Sequence, residues 1–557
     1  MAEQEEWTVL HEAAWTGDVE RVQLCLETPG VQINLEDRRG RTPLFLAAQE
    51  GHIEVATLLA VKNGADANQA DHKGATPLFV ASFNGHADIA AMLVHDADAD
   101  ANKVAADGAS PLLVAAQHGH TKAVELFVDH DGCDVRAKLP NGATALFLAA
   151  QHGHAKVVRV LLRKDAWLAQ ATTRTHAAPL FVAAQNGHVD TVGVLLDEGG
   201  VDVNHAKNDG ARALHIAAER GHAAVINRLL NGKADPNAVM SDGATPLYVA
   251  AQNKRLDIVK ALLALPGVDA NQQRKDGASP LHAAAAQGHR DVVDTLAQHK
   301  SVDVNQQDEN GATALLVASE AGHVGVVQVL RRKAGADATR AAQHDILPVH
   351  VAAQNGHVDV LTELLHVGGD VNAATDDCTT PLHLAAKNGD LAVAACLVET
   401  MKADVNCRTK RGASPLHMAV VNRNAGMVQF LLGAKADVRL RFDGTQTALD
   451  LARNAGLTAA ARQLEKAMVA ARNGGAASGA AGDAGAAKAA ALYDAAETGR
   501  TEEAKSLLQD STVDVNVEIG EGGTTPLGIA AHYGHTEVVT LLVNTARVDV
   551  NRATEDG

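Results

Sequence analysis

Aromatic residues and long apolar runs are both scarce in this chain of 557 residues. Phe, Trp and Tyr together make up 3% of the sequence, although apolar residues as a whole reach 46%, which is normal for a folded protein. Thin layers built from Ala, Val and Leu account for this combination. No stretch of about 18 apolar residues occurs, so the sequence predicts no membrane-spanning helix.

Cysteine is also rare, and its five copies are odd in number, scattered and without a C-x-x-C pair. This pattern indicates free thiols in a reducing compartment. The first six residues, MAEQEE, are acidic and do not resemble a signal peptide. Together these features predict a cytoplasmic protein, with the nucleus as the alternative.

Basic residues are outnumbered, with 49 Lys and Arg against 67 Asp and Glu, which gives a formal net charge of −18 at pH 7. Nucleic acids and anionic membranes bind proteins through clustered Lys and Arg, so neither is expected as a main partner. Solubility alone explains an acidic balance of this size.

The chain does contain one phrase that returns about every 34 residues. It reads Thr-Pro-Leu-Phe at 42–45 and at 76–79, and related phrases follow at 110–112, 144–147 and 178–181. A repeat of this length indicates a solenoid, because a single unit cannot bury its own apolar face and must stack on its neighbours.

Residues 71–102 show how one unit is expected to fold. Thr76 occupies the N-cap of a short first helix, and Pro77 takes the first helical position, where no N–H is needed. Gly85 ends that helix. A second helix then carries an apolar stripe formed by Ile89, Leu93 and Val94. In other units the second helix contains a Leu pair, and we expect Leu196 of one such pair to lie in the buried seam.

This pattern resembles the ankyrin repeat, which runs as a turn, Thr-Pro-Leu-His, Ala-Ala-x-x-Gly-His, Val-Val-x-x-Leu-Leu and Gly-Ala-Asp-Val-Asn. Residues 382–386 and 415–417 carry the first-helix phrase, and 161–162 is one of several Leu pairs that carry the second. The resemblance covers about nine tenths of the chain in sixteen copies. It implies an all-α solenoid of helix-turn-helix repeats with β-turn or hairpin fingers, arranged in two blocks.

The spacing of the first-helix caps divides the chain. Residues 1–472 hold fourteen repeats, with caps expected at 8, 42, 76, 110, 144, 178, 212, 245, 279, 313, 347, 380, 414 and 447. Residues 473–488 are rich in Gly and Ala, which is typical of a flexible linker. Residues 489–557 hold a second block of two repeats, which ends on the turn of another repeat and is expected to be truncated.

Three repeats depart from the pattern near positions 176, 345 and 378, where the turn Gly is missing. The first two also lack the capping Thr, and each lost cap costs ~1 kcal/mol. A hinge, a contact site and sequence drift are three explanations that the sequence leaves open.

Histidine is the residue most suggestive of a catalytic or metal site, with 27 copies. Ten follow Gly at the end of a first helix, and six follow the Leu or Val of the Pro-Leu-His phrase. The resemblance makes both groups structural, bonding backbone between repeats. His118 with His120, and His152 with His154, form H-x-H pairs, but no third or fourth zinc ligand is suggested. We expect no metal, no cofactor and no enzymatic activity.

The resemblance places function on the concave face, at the turn tips and at the two residues between Ala-Ala and Gly-His. The candidate partner-binding residues there are Gln49, Phe83, Gln117, Gln151, Gln185, Asn186, Gln252, Gln354 and Lys387. Because Gln recurs so often, two interpretations stay open. The face is either a polar, nearly neutral ladder for a long extended partner, or the product of recent duplication without a selected interface.

These observations predict a protein–protein interaction scaffold or adaptor that binds other proteins on the concave face. The alternative is the recognition arm of a larger protein whose enzymatic or channel domain lies beyond the C-terminus. A metal- or ligand-binding enzyme is disfavoured, because the sequence suggests no site geometry for one.

Overall fold

The computed structural model describes residues 7–474, 483–511, 513–518, 524–545 and 547–550. The chain forms two compact units, Met1–Asp337 and Ala338–Gly557, which we call unit 1 and unit 2. Within its described residues, each unit is built almost entirely from short helices in pairs. None of the helices in the described part of the chain has the length and apolar character that crossing a membrane requires.

Over residues 7–337, unit 1 contains ten pairs of a first and a second helix. Their bounds are α1 Val9–Thr16, α2 Val19–Leu26, α3 Pro43–Glu50, α4 Ile53–Thr57, α5 Pro77–Asn84, α6 Ala87–Asp96, α7 Pro111–His118, α8 Thr121–Asp129, α9 Ala145–Gln151, α10 Ala155–Lys164, α11 Pro179–Gln185, α12 Val189–Glu198, α13 Ala213–Arg220, α14 Ala223–Asn231, α15 Pro246–Gln252, α16 Leu256–Leu263, α17 Pro280–Ala286, α18 Arg290–Gln298, α19 Ala314–Glu320 and α20 Val324–Gln328. Short π-helical turns, Leu58–Lys62 and Val329–Lys333, continue α4 and α20, and Ala166–Gln170 forms a 3₁₀ helix.

Unit 2 continues the same alternation and adds one hairpin. Its helices are α21 Pro348–Gln354, α22 Val358–His366, α23 Pro381–Asn388, α24 Leu391–Ala395, α25 Pro415–Val421, α26 Ala425–Gly433, α27 Ala448–Asn454, α28 Thr458–Gly474, α29 Asp483–Thr498, α30 Thr501–Leu508, α31 Pro526–His532 and α32 Thr536–Val543. A π-helical turn, Cys396–Thr400, continues α24, and Gln343–Asp345 is a 3₁₀ turn. The hairpin pairs β1 Arg441–Phe442 with β2 Gln446–Thr447 in antiparallel register, as expected of a hairpin finger.

The first helices begin and end where the sequence predicts. All fourteen expected cap positions are N-caps in the structure. At α3, for example, Thr42 Oγ1 accepts a hydrogen bond of 3.2 Å from the backbone N–H of Phe45, and Pro43 takes the first helical position. Gly51 ends this helix with φ at 88°, in the left-handed region that favours glycine.

The first helices stack side by side throughout the described part of unit 1, and in unit 2 from α21 to α27 and from α29 to α31, and each second helix packs behind its own first helix. Ala47 and Ala48 of α3 are fully buried, so small side chains let neighbouring first helices approach closely. The expectation that Leu196 fills the second-helix seam is wrong, because Leu195 is the fully buried member and Leu196 is half-buried. Adjacent helical residues point about 100° apart, so only one of the two faces the seam squarely.

The three irregular turns keep the left-handed φ at the position of the turn Gly, although the turn at Asp345 adds a second left-handed residue, His344, with φ at 62°. Gly74 of a regular turn has φ at 79°. In the same position His176, Asp345 and Cys378 have φ between 55° and 63°. A left-handed residue other than Gly costs roughly 1–2 kcal/mol, so stacking of the neighbouring repeats has to offset that strain.

The predicted linker lies only partly within the described residues. Residues 473–474 end α28 and 483–488 belong to α29, while 475–482 lie outside the described residues. The linker at 473–488, and the division into 1–472 and 489–557 that depends on it, stay predictions.

Candidate functional site: the first-helix row

The candidate partner-binding residues occupy equivalent positions at the C-terminal end of successive first helices. We call the two residues before the closing Gly, or before its replacement, the first-helix row. In unit 1 the row includes Gln49, Phe83, Gln117, Gln151, Gln185, Asn186 and Gln252, and in unit 2 it includes Gln354 and Lys387. Because α3, α5, α7, α9 and α11 contact one another in sequence, the structure brings the first six of these residues into one continuous row.

Exposure differs along the row. Phe83 has 44% of its surface exposed, and Asn186, Gln252, Gln354 and Lys387 are exposed as well. The Gln side chains of α3, α7, α9 and α11 are half-buried. The row is therefore reachable by a partner, but part of each Gln is already covered by neighbouring repeats.

The backbone carbonyls of the row carry hydrogen bonds between repeats. His86 Nε2 lies 3.1 Å from the carbonyl oxygen of Gln49, and His154 Nε2 lies 2.9 Å from that of Gln117. The same contact is made by His52, His120, His188, His222, His289, His323 and His535. Arg255 Nε replaces the imidazole at one junction, with a bond of 2.8 Å to the Glu219 carbonyl. A side-chain donor other than histidine can therefore make this bond.

Except for His289, where the preceding repeat has Lys254 in place of Gly, each of these imidazoles lies against the closing Gly of the preceding repeat. A Cβ atom added at Gly51 would lie 2.6 Å from Cε1 of His86. At these junctions glycine supplies both the positive φ and the space that the ring occupies. Lys254 keeps the positive φ, at 58°, and His289 still bonds the Gln252 carbonyl at 3.0 Å. We call this Gly, carbonyl and imidazole arrangement the inter-repeat clamp. It confirms that the histidines after Gly are structural.

Asparagine in the second position of the row reinforces the clamp. Asn186 Nδ2 donates to the carbonyl oxygen of Gln151 at 3.0 Å, which also receives His188. Asn84 and Asn388 make the equivalent bonds to the carbonyls of Gln49 and Gln354. Sequence reasoning missed this role. The recurring Asn-Gly-His triplet was the signal that pointed to it.

In two repeats the second position of the row is a histidine, His118 or His152, and in the part of the chain that the structure describes its ring does not bond a carbonyl of the preceding repeat. The structure gives the side chains of His118 and His152 no hydrogen bond among the described residues. The His118 ring instead lies 4.4 Å, centroid to centroid, from Phe83 and stacks with His120 at 6.1 Å. Burial lowers the pKa of His118, and the nearby imidazoles lower it further. Both rings are thus expected to be neutral at pH 7.

The histidines of the Leu-His phrase join one repeat to the turn of the next. His282 Nδ1 lies 2.8 Å from Ser279 Oγ, while its Nε2 lies 3.0 Å from the carbonyl oxygen of Ala312. Burial lowers the pKa of His215 to about 4, against the smaller opposing effect of its bond to the Ala244 carbonyl. A neutral imidazole with both nitrogens engaged is a structural bridge and is poorly placed to act as a catalytic base.

Asparagines in the turns form a second series of bonds between repeats. Asn237 accepts from the backbone N–H of Asp269 at 2.9 Å and donates to the Gly267 carbonyl at 2.7 Å. Asn68, Asn102, Asn204, Asn271 and Asn516 make the same pair of contacts. These side chains are committed to stacking and are not available to a partner.

The five cysteines are all free thiols. Burial raises the pKa of Cys133 to about 12 and that of Cys407 to about 11, so both stay protonated near neutral pH. Thr380 Oγ1 lies 3.2 Å from Cys407 Sγ. Among the residues that the structure describes, no group of three or more His, Cys, Asp or Glu side chains is arranged to hold a metal ion.

The model of the family described as "Ankyrin repeats (3 copies)" matches residues 10–105, 95–175, 180–273, 247–342, 349–442 and 467–554. No curated protein matches the chain. The matches cover both units, and the helix pairs and caps agree with them. The chain therefore belongs to the ankyrin-repeat family.

Proposed function

We propose that the chain is an interaction scaffold whose partner proteins dock on the first-helix row. Ankyrin repeats are in general protein–protein interaction modules. We place the scaffold in the cytoplasm, in keeping with its five free thiols, and expect its partners to be proteins rather than nucleic acids or metal ions.

One observation carries the proposal, namely the separation of backbone and side chains along the row. The carbonyls of Phe83, Gln117 and Gln151 are held by imidazoles of the next repeat. Their side chains remain at least partly exposed. A rigid backbone with reachable side chains holds the binding groups in place before a partner arrives, which reduces the entropy lost on binding.

The proposal is tested by adding charge to the row. The pair Gln117→Glu and Gln151→Glu keeps side-chain size but puts two carboxylates on the row. A matched control, Gln23→Glu with Asn231→Asp, adds two carboxylates to the second helices α2 and α14, where both side chains are exposed. The three proteins are used as bait in lysate of the source cell, and the retained proteins are quantified by mass spectrometry.

We expect a defined set of proteins to be retained by the parent and the control and to be lost from the row variant. Equal retention by all three baits would place the docking surface elsewhere. Thermal melting by circular dichroism verifies that the row variant is folded, since surface changes usually stay within ~0.5 kcal/mol.

A further inference from the structure

Four successive first helices in unit 1 carry no Asp, Glu, Lys or Arg. These are α5, α7, α9 and α11. The first helices on either side are charged, with Glu50 in α3 and Glu219 and Arg220 in α13. α15 and α17 of unit 1 are also uncharged, but α5 to α11 form the longest uninterrupted uncharged run of first helices in the described part of the unit.

Besides Asn84 and Asn186, whose amides bond carbonyls of the preceding repeat, the reachable side chains at the ends of these helices are one aromatic ring, two imidazoles and three amides. We call them the neutral face, and they are Phe83, Gln117, His118, Gln151, His152 and Gln185. Beside the face, charged side chains are exposed at the turns, at Lys73, Asp107 and Arg174.

We propose that the neutral face docks an extended polypeptide segment without charged side chains, and releases it in acid when His118 and His152 become protonated. This inference rests on the proposed function, because it names the partner class for one part of the first-helix row.

The length of the face favours an extended segment. Neighbouring packed helices lie ~8–10 Å apart, so four of them span roughly 24–30 Å. An extended chain covers that distance with about 7–9 residues. A segment of fewer residues, or a helix of 7–9 residues, would contact only part of the face.

The chemistry of the face selects against charge. Amides and neutral imidazoles satisfy backbone and amide groups of a partner by hydrogen bonding, and the Phe83 ring offers apolar area. An ionised side chain pressed against them would lose water without gaining an opposite charge, which is costly. An uncharged segment is therefore preferred.

The two imidazoles face other imidazoles rather than carboxylates. His118 is surrounded by Phe83 of α5, by His120, and by His152 and His154 beyond α9, and burial and these imidazoles lower its pKa. His152 lies beside His154 and near His188, and its pKa is lowered for the same reasons. The second helices behind them carry charges that do not contribute to these shifts, at Lys122, Glu125, Asp129, Lys156, Arg159, Arg163 and Lys164.

The sign of the pH effect follows from this setting. A docked segment buries both rings further and disfavours their charged forms, so the complex holds fewer protons than the free protein. Affinity is then constant above the pKa values of the free imidazoles and falls as pH decreases through them.

The probe for the first test is a phage library of random 12-residue peptides, panned on the parent protein at pH 7.5. Clones that also bind the Gln117→Glu, Gln151→Glu variant are removed, which leaves peptides that depend on the row. We expect these peptides to contain fewer Asp, Glu, Lys and Arg than the unselected library. Their affinity should change by about twofold or less between 50 and 500 mM NaCl, because little charge is involved.

Row-dependent peptides rich in charged residues would overturn the neutral-face inference and leave the proposed function standing. Failure to enrich any row-dependent peptide would also overturn it. The lysate comparison decides the proposed function separately, so the two failures are distinguishable.

The second test measures the most enriched peptide by fluorescence anisotropy at pH 7.5 and 5.5. The parent should lose affinity on the order of five- to fifteen-fold, as two linked protonations predict. The variant His118→Gln with His152→Gln cannot titrate there and should lose about twofold or less. The control His95→Gln with His366→Gln, on exposed positions of second helices, should behave as the parent. Equal pH dependence in parent and double variant would refute the role of the two imidazoles, and circular dichroism at pH 5.5 checks that all proteins are folded.

Discussion

Two junctions between first helices meet the same packing requirement with different residues. At the junction of α11 and α13 in unit 1, Gly187 has φ at 77° and the His222 ring lies against it, with Nε2 at 3.0 Å from the Gln185 carbonyl oxygen. At the junction of α25 and α27 in unit 2, Arg423 stands in the Gly position with φ at 60°, and Leu457 stands where the imidazole would be. The left-handed backbone is kept, whereas the clamp is not.

The loss of the clamp leaves open space at the second junction. A groove of about 260 Å³ lies there, lined by Ala419, Val420, Arg423, Asn424, Ala425, Val428, Gly456, Leu457, Thr458, Ala459 and Ala460. Leu457 has no side-chain donor for a carbonyl of the preceding repeat. The comparison shows that the turn conformation and the bond between repeats are separate contributions, and that a repeat can retain one without the other.

Lowering the pH should reduce the stability of the fold more than any of the substitutions below, because both units contain the buried imidazoles of the Leu-His phrase. The buried imidazoles of the Leu-His phrase, among them His215, His282 and His383, all have lowered pKa values. When pH falls below about 6.5 the unfolded chain gains protons that the folded repeats do not, so stability is lost down to the folded pKa. For His215, whose pKa is about 4, the loss approaches about 3 kcal/mol.

The measurement is urea unfolding followed by far-ultraviolet circular dichroism at pH 7.5 and at pH 5. We expect a lower midpoint at pH 5 and no loss between pH 8.5 and 7.5, where these imidazoles are neutral in both states. A midpoint that is unchanged or higher at pH 5 would contradict the lowered pKa values.

Alanine at the closing glycines should give the next largest effect, and it compares a Gly that a ring covers, Gly187, with one that no atom covers, Gly456. Gly187→Ala introduces a left-handed non-glycine residue and drives its Cβ to 2.8 Å from Nδ1 of His222. We expect a loss of about 2–3 kcal/mol, from the strained φ together with the broken bond. Gly456→Ala has the same backbone strain, with φ at 68°, but no atom lies within 4 Å of the added Cβ.

Gly456→Ala should therefore cost only about 1–2 kcal/mol. Both variants are compared with the parent by urea unfolding at pH 7.5. Equal losses would mean that the ring contact at Gly187 adds nothing to the stability of the repeat.

The local part of the fold was predictable from the sequence, because its signals lie within a few residues of one another. Thr42, Pro43 and Gly51 mark the start and end of α3 through hydrogen bonds and φ values inside one helix. The repeat spacing extends these signals to Ala178, Arg212 and Leu347, which carry no capping hydroxyl but are N-caps in the structure.

The contacts between repeats were harder to predict, because they depend on how two units stack. The bond from Asn186 to the Gln151 carbonyl spans 35 residues, and the choice of Leu195 over Leu196 for the seam depends on the rotation of α12. The ring contact between Phe83 and His118 is of the same kind. Sequence alone identified these positions as a surface, and only the packed repeats show which side chains remain free on it.

A smaller effect, with the opposite sign, should come from rebuilding the clamp in unit 2. Arg423→Gly removes the left-handed strain and opens space, and Leu457→His supplies the missing donor. Together they should stabilise unit 2 by about 1–2 kcal/mol. Leu457→His alone should gain less than the pair, since the left-handed strain at Arg423 remains, although His289 bonds its carbonyl beside Lys254 at a comparable junction. The four proteins form a double-mutant cycle measured by urea unfolding. If Leu457→His adds no stability either to the parent or to the Arg423→Gly variant, no clamp has formed.

The smallest expected difference separates the two neighbouring candidates Gln185 and Asn186 on the row. Asn186→Ala removes the Nδ2 bond to the Gln151 carbonyl, although His188 still bonds that oxygen. We expect a loss of about 0.5–1.5 kcal/mol, as for a single intramolecular hydrogen bond. Gln185→Ala leaves the backbone carbonyl for His222 in place and should stay within ~0.5 kcal/mol. Asn84→Ala repeats the experiment at an equivalent junction, where Nδ2 lies 3.1 Å from the Gln49 carbonyl oxygen. Thermal melting is measured for the three variants and the parent. If Asn186→Ala and Asn84→Ala have the same melting temperature as Gln185→Ala and the parent, the amide bonds do not hold neighbouring repeats together. Asn186 would then be a side chain free to contact a partner.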